Sequence, residues 1–154
     1  MEIELCGYKV LIDDEDYELI SSMVWRVKKE DLHKGLIYFR SGYKDCKTLH
    51  RLVLGLEKGV GIVDHKDGDT LNNKKENLRV VTVSQNNMNR KNNPNKYGLK
   101  GVKQNKKSKT KPYCAVIQVA KKSIYLGSFE SPELAHAAYC EASKKYHGEY
   151  GRTE

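Results

Sequence analysis

Four polar residues in the middle of the chain have the types and spacing that a small metal-dependent nuclease requires. Asp64 and His65 are adjacent, and Asn77 and Asn86 follow Asp64 by 13 and 22 residues. Aspartate and asparagine offer oxygen ligands to a hard divalent cation, and a neutral histidine accepts a proton from water. This set therefore indicates hydrolysis of a phosphodiester bond.

The surrounding sequence predicts two strands and a helix that would position these side chains. Ile62–His65 has the pattern of a strand, and Leu78–Val81 that of a return strand after a loop at residues 66–77. Thr82 begins a capping box, so a helix should start there and carry Asn86 toward the strand of Asp64. The prediction is a ββα hairpin around a metal.

Asp64 and His65 raise a geometric requirement because neighbouring side chains in a strand point to opposite faces. For both to act on one phosphate, the end of the strand must be distorted. We also expect activity to rise with pH through the titration of a histidine, since the base must be neutral.

A longer set of residues around this site resembles the HNH homing endonucleases of phages and mobile introns. The resemblance covers residues 48–90 and is carried by His50–Val53, Val63–Gly68, Asn72-Asn73, Glu76–Arg79 and Asn86. It implies that Asp64 and Asn86 bind one Mg²⁺, for which Mn²⁺ substitutes. It also implies that His65 is the general base, that Asn77 holds the loop and orients the imidazole, and that His50 supports the fold or contacts the phosphate.

Charge is distributed unevenly along the 154 residues, whose formal net charge is +8. Residues 1–90 contain 15 Lys and Arg against 15 Asp and Glu, whereas residues 91–154 contain 13 against 5. Such asymmetry indicates a polyanion-binding module attached to a nearly neutral one, and nucleic acid is the first candidate partner. The polar segment 91–96, which contains Pro94, predicts the linker between them.

The C-terminal segment predicts three strands, Lys100–Gln104, Tyr113–Val119 and Ile124–Phe129, followed by a helix that begins after an N-cap at Ser131. Together with the glycines and the alanine-rich helix, these strands resemble the plant ethylene-response-factor (APETALA-two) DNA-binding domain over residues 97–151. The resemblance implies a three-stranded sheet, backed by the helix, that enters the major groove of double-stranded DNA.

Candidate DNA contacts lie on that module and on its lysine-rich hairpin. Lysines replace most of the arginines of the plant proteins, so base discrimination should weaken while phosphate attraction persists. We assign phosphate contacts to lysines of the hairpin and strand edge, and groove contacts to the strands. The candidates are Lys100, Lys103, Lys106, Lys107, Lys109, Lys111, Tyr113, Gln118, Lys122 and Tyr125.

The N-terminal third reads as strand-rich. Residues 3–12 predict a hairpin, the acidic run Asp13–Asp16 predicts the start of a helix that reaches Val24, and Lys47–Leu49 predicts a strand before a helix at His50–Leu54. The four cysteines are scattered without a C-x-x-C pair, which indicates free, buried or half-buried thiols. No signal peptide or membrane span is evident, so we expect a protein of the cytoplasm of a bacterial or phage-infected cell.

The sequence therefore predicts an α+β protein with an endonuclease region at residues 1–90 and a DNA-binding domain at 97–154. The predicted function is a site-recognising, metal-dependent DNA endonuclease that nicks as a monomer, or cuts both strands as a weak dimer. Two alternatives stay open: a non-catalytic, sequence-specific DNA-binding regulator with a degenerate HNH scaffold, and a nucleoid-type binder driven by charge.

Overall fold

The computed structural model describes residues 1–28, 35–42, 46–57, 59–90 and 95–153. It contains short helices and small antiparallel sheets, which confirms the α+β prediction. The chain forms two compact units, Met1–Thr82 and Val83–Glu154. Four residues of the predicted linker, 91–94, lie outside the described residues, so the position of the domain boundary stays a prediction.

The first unit begins with the predicted hairpin, in which β1 (Glu2–Leu5) pairs with β2 (Tyr8–Leu11). Its two-residue turn, Cys6-Gly7, has positive φ at both positions (52° and 81°). Two positive φ angles suit the right-handed twist of the paired strands, and glycine adopts such an angle without steric penalty.

The predicted first helix is shorter than its apolar spacing suggests. A 3-10 turn at Asp14–Asp16 leads into α1 (Tyr17–Ser21), so the extension to Val24 is wrong. The hydroxyl groups of Ser21 and Ser22 donate to carbonyls three residues earlier, a local bond that competes with helix continuation.

The described residues of the first unit share an apolar core, to which the N-terminal hairpin and residues 49–78 both contribute. Strands β3 (Trp25–Val27) and β4 (Phe39–Ser41) pair with each other and contribute Trp25 and Phe39 to it, and α2 (Leu49–Val53) contributes Leu49 and Val53. The strand predicted at Lys47–Leu49 is wrong, since Thr48 makes only one bridge to Arg40 before α2 begins. The buried core residues are Val10, Ile12, Ile20, Trp25, Phe39, Leu49, Val53 and Leu78.

The predicted strand pair around the candidate site is confirmed. Strand β5 (Ile62–His65) runs antiparallel to β6 (Leu78–Val81), with Asp64 opposite Arg79 and His65 opposite Leu78. The connecting loop contains a 3-10 turn at Lys75–Asn77. Asp64 and His65 therefore stand at the end of β5, next to this loop.

The second unit opens with α3 (Val83–Asn89) and continues with a sheet of three strands, β7 (Val102–Gln104), β8 (Tyr113–Val119) and β9 (Lys122–Phe129). Helix α4 (Pro132–His147) packs on this sheet through Ala135, Tyr139 and Ala142. The predicted N-cap is confirmed, because the Ser131 hydroxyl accepts a hydrogen bond from the amide of Leu134.

One glycine is required for this packing. Gly101 has φ +80°, and a Cβ added to it would lie 2.0 Å from the ring of Tyr139 on α4. Any side chain at position 101 would therefore force β7 away from the helix.

All four cysteines are free thiols, as predicted. Cys114 and Cys140 are half-buried, whereas Cys6 and Cys46 are exposed, so the expected burial is wrong for those two. Among the described residues, no helix has the length and apolar character needed to cross a membrane.

Candidate functional site

The two residues that end β5 are both buried although both are polar. Asp64 is 8% exposed and His65 is 4% exposed. Burial of a carboxylate or an imidazole is unfavourable unless the group finds partners. The contacts of these two side chains therefore define the site.

Asp64 forms an ion pair with the residue opposite it in the sheet. Nε of Arg79 donates to Oδ2 of Asp64 at 3.0 Å, and Nη2 lies 2.9 Å from the same oxygen. Both side chains are nearly buried, so each charge compensates the other in a region of low dielectric. The strand register alone brings this pair together.

His65 contacts a different set of groups, as strand alternation predicts. The expected distortion of the strand end is not seen over Ile62–His65, because β5 stays in regular register with β6 through His65. Its Nε2 lies 3.5 Å from Oδ1 of Asn73, while Nδ2 of Asn73 donates to the carbonyl of Thr70 at 3.1 Å. Because the amide nitrogen of Asn73 is used on a carbonyl, its oxygen faces the ring and accepts from Nε2. The lone pair of the neutral imidazole is then on Nδ1.

Burial also controls the charge of His65. It lowers the pKa of His65, although the hydrogen bond to Asn73 and the carboxylates of Asp67 and Asp64 oppose this effect. The ring is therefore neutral at pH 7, the form that accepts a proton.

A second histidine and a tyrosine lie beside this ring. The ring centroid of His50 is 5.6 Å from that of His65, and the ring of Tyr38 lies 5.4 Å from His50 and 6.2 Å from His65. Nε2 of His50 is 3.1 Å from Oγ1 of Thr48. Burial, with the charges of His65, Arg51 and Lys28, lowers the pKa of His50 to about 3.

Asn77 holds the loop that follows His65. Its Oδ1 accepts from the amide of Asp67 at 3.1 Å, and its Nδ2 donates to Oδ1 of Asp67 and to the carbonyl of Asn72. Burial disfavours the Asp67 carboxylate, but hydrogen bonds from the Asp69 amide, Asn72 and Asn77 outweigh it and lower the pKa of Asp67.

Asn86 lies on α3, in the second unit, and is half-buried. The carboxylate of Asp64 and the carboxamide of Asn86 are oxygen donors, which fit a hard cation such as Mg²⁺ rather than zinc. In the described part of the chain, three or more His, Cys, Asp or Glu nowhere cluster into a metal site. The pairing of Asp64 with Asn86 stays a prediction.

Residues 47–88 match the HNH endonuclease family. The HNH segment thus contains Asp64, His65, Asn73, Asn77 and Asn86, as well as His50. No curated protein and no solved structure matches the chain.

Three residues of the HNH segment have contacts that the sequence interpretation did not assign. Arg79 compensates Asp64, Asn73 contacts the His65 ring, and Asp67 fixes the loop. The Asn72-Asn73 pair was part of the resemblance, but nothing in its spacing indicated which amide faces the imidazole.

The candidate DNA-binding residues of the second unit lie in three different environments. One face of the sheet is turned away from α4, and Lys103, Gln118 and Tyr125 are exposed on it. Tyr125 is 61% exposed. The half-buried Cys114 and Val116 and the residue Ser128, none of them assigned from the sequence, share this outer face by strand register.

The lysine-rich hairpin between β7 and β8 is tied to this outer face. Nδ2 of Asn105 donates to Oγ of Ser128 at 2.8 Å, and Oγ of Ser128 lies 2.6 Å from the Tyr125 hydroxyl. The exposed hairpin lysines are Lys106, Lys107, Lys109 and Lys111, and Lys122 is exposed at the start of β9. Asn105 thus fixes the base of the cationic loop against the sheet.

The remaining two candidates lie away from this face. Tyr113 is half-buried, packs on the core of Val102, Ala115 and Ala135, and meets Tyr97 edge to face at 5.3 Å. Nζ of Lys100 donates to the carbonyls of Met88 and Arg90. Their roles as DNA contacts stay predictions, and both side chains already have structural partners.

Proposed function

We propose that this protein is a divalent-metal-dependent DNA endonuclease of the homing type, which hydrolyses a phosphodiester bond at a site chosen by its C-terminal sheet. The observation that carries the proposal is the end of β5. There, inside the HNH segment, a buried carboxylate and a buried, neutral imidazole occupy consecutive positions.

His65 is the general base in this proposal. Its Nδ1 carries the lone pair because Nε2 faces Asn73, and burial keeps the ring neutral at pH 7. Nδ1 accepts a proton from the water that attacks phosphorus. The rings of His50 and Tyr38 restrict tilting of the imidazole, so His50 acts as support for the base.

Asp64 and Asn86 are the proposed ligands of Mg²⁺, for which Mn²⁺ would substitute. When bound, such a cation supplies neutralisation of charge on the phosphate and on the departing 3′ oxygen. Arg79 fixes one oxygen of Asp64, which restricts rotation of the carboxylate. Asn77 holds the loop after His65 through Asp67 and Asn72 and so keeps the end of β5 in place.

The outer face of the sheet and the hairpin are the proposed DNA surface. Lys106, Lys107, Lys109, Lys111 and Lys122 would neutralise phosphates, which gives affinity without sequence information. Lys103, Gln118 and Tyr125 would contact base edges, where a glutamine can bond adenine with two hydrogen bonds. One HNH site cuts one strand, so a monomer nicks and a dimer breaks both strands.

Nicking of a supercoiled plasmid library with randomised inserts tests the proposal. We expect open circles with Mg²⁺, none with EDTA, and none from His65→Ala, whose gel-shift affinity for DNA should equal that of the wild type. Sequencing the ends would give the site. If the wild type binds a defined sequence but cuts no insert with Mg²⁺ or Mn²⁺, the protein is a DNA-binding regulator instead.

A further inference from the structure

Lys100 contacts the end of a helix. Its Nζ donates to the carbonyl of Met88 at 2.8 Å and to that of Arg90 at 3.0 Å, and the amide of Arg152 donates to Met88 at 3.4 Å. The last carbonyls of any helix lack partners within the helix. Lys100 therefore caps the C-terminal end of α3.

The backbone of Lys100 is also held. Its carbonyl accepts from Nδ1 of His136, on α4, at 2.8 Å, and the next residue, Gly101, lies directly against Tyr139. Lys100 thus connects α4 to α3 through its own backbone and side chain. A lysine whose backbone and ammonium group both have such partners is poorly placed to contact the phosphates of DNA.

Two electrostatic effects act on this ammonium in opposite directions. A cation is favourable at the negative C-terminal end of a helix. Burial, together with the nearby charge of Arg152, opposes the charged form and lowers the pKa of Lys100 to about 8, so the ammonium is still the main form at pH 7. The side chain is half-buried, and that of Lys103 is exposed.

Helix α3 depends on such contacts because it is only seven residues long. Helices of this length are marginal by themselves in water, and their order comes from tertiary contacts. Asn86 lies in the middle of α3, so the cap that orders the helix also orders this side chain.

We propose that Lys100 is a positioning residue for Asn86, which it holds in place by fixing α3 to the C-terminal sheet and helix. The inference rests on the proposed function, in which Asn86 is a ligand of the cation. It makes the C-terminal unit a part of the nuclease as well as its DNA-binding module.

Amide hydrogen exchange in the full-length protein tests the cap directly, with Lys100→Met compared to Lys103→Met. Each substitution keeps the aliphatic stem and removes the ammonium. We expect exchange over residues 83–90 to become about tenfold faster in Lys100→Met, as loss of a hydrogen bond to a charged group predicts. Lys103→Met should leave it unchanged, and Lys100→Arg, which keeps charged donors, should restore protection.

Assays of nicking and of DNA binding then distinguish a positioning role of Lys100 from a contact between Lys100 and a phosphate. Lys100→Met should nick more slowly with Mg²⁺ while its DNA affinity and salt dependence stay those of the wild type. Lys106→Met, which removes a proposed phosphate contact, should show a salt slope smaller by about one. A smaller salt slope in Lys100→Met with unchanged exchange would overturn the inference, because Lys100 would then be a phosphate contact.

A measurement on the wild type covers the case in which Lys100→Met does not fold. Lysine ammonium NMR with added DNA should leave the Lys100 signal in place and shift that of Lys103; a shift of Lys100 alone would overturn the cap. Failure of the wild type to nick with any divalent cation would overturn the nuclease. If Lys100→Met nicks at the wild-type rate although its α3 amides exchange faster, only the positioning role of Lys100 is overturned.

Discussion

Oδ1 of Asn73 lies 3.5 Å from Nε2 of His65, and the nitrogen of the same amide donates to the carbonyl of Thr70. One asparagine thereby selects both the orientation and the tautomer of the imidazole. In the proposed nuclease this contact decides which ring nitrogen receives the proton, so the first prediction concerns Asn73.

Asn73→Ala should lower kcat for nicking by about 10²-fold with little change in KM, the effect of a misplaced catalytic group. Single-turnover nicking of a plasmid that carries the site measures it. Asn73→Asp is the matched control: its oxygen still accepts from Nε2, but its charge raises the pKa of His65 and moves the acid limb of the rate profile to higher pH. Equal rates in wild type and Asn73→Ala would refute the orienting role.

The pH profile of kcat/KM should have an acid limb below the ordinary histidine value of 6.5. Burial lowers the pKa of His65, so the base stays neutral to lower pH and activity is lost only when the ring is protonated. Nicking measured from pH 4.5 to 8 at constant Mg²⁺ checks this. A limb centred above 6.5 would mean that another group titrates.

Arg79→Met should lower the free energy of unfolding by about 3–5 kcal/mol, because it leaves the buried carboxylate of Asp64 without its cation. Urea unfolding at pH 7 measures the change. Lys9→Met provides the control, since its pair with Glu2 is exposed and should contribute less than about 1 kcal/mol. Similar losses of unfolding free energy from both substitutions would contradict the conclusion that Arg79 compensates a buried charge on Asp64.

Acid should destabilise the first unit through His50. Its pKa is about 3 in the folded protein against an ordinary 6.5, so between these values the unfolded chain binds more protons. The free energy of unfolding therefore falls as pH drops from about 6.5 toward 3. Urea unfolding at pH 7.5 and 5 should show a smaller difference for His50→Gln than for the wild type; an unchanged difference would exclude His50 as a source.

Bound DNA should protect Cys114 from alkylation, since this thiol lies between Lys103 and Ser128 on the outer face of the sheet. Mass spectrometry after N-ethylmaleimide treatment, with and without DNA, reports each cysteine separately. Cys6, which is exposed in the first unit, is the internal control and should react equally in both samples. Protection of Cys6 with free reaction of Cys114 would place the DNA elsewhere.

Elements with strong local signals were predictable from the sequence. Strand β8 has the predicted bounds, α4 begins after its Ser131 cap, and β5 and β6 pair as expected. Each depends on alternation or on a capping residue, both of which are local. Helix α1 was predicted too long because apolar spacing continued beyond the point where two serine hydroxyls bond the backbone.

Contacts between distant residues were not predictable in this way. Arg79 meets Asp64 only through the register of two strands, and Lys100 meets Met88 only after the second unit has folded. Tyr113 belongs to the inner face of β8, which a basic sequence context could not indicate. The residue types indicated the chemistry of the site, but the partner of each side chain and the sheet face on which it lies depended on the tertiary structure.

The pairing of Arg79 with Asp64 has a consequence for how the protein could be handled and loaded. A buried carboxylate without a counterion is energetically unfavourable, whereas here the guanidinium of Arg79 already compensates the charge of Asp64. We therefore expect the fold of the first unit not to need the proposed ion, unlike that of a zinc finger, which unfolds in a chelator. If the proposed function is right, purification and storage in EDTA should leave the protein intact, and addition of Mg²⁺ after DNA has bound should start cleavage.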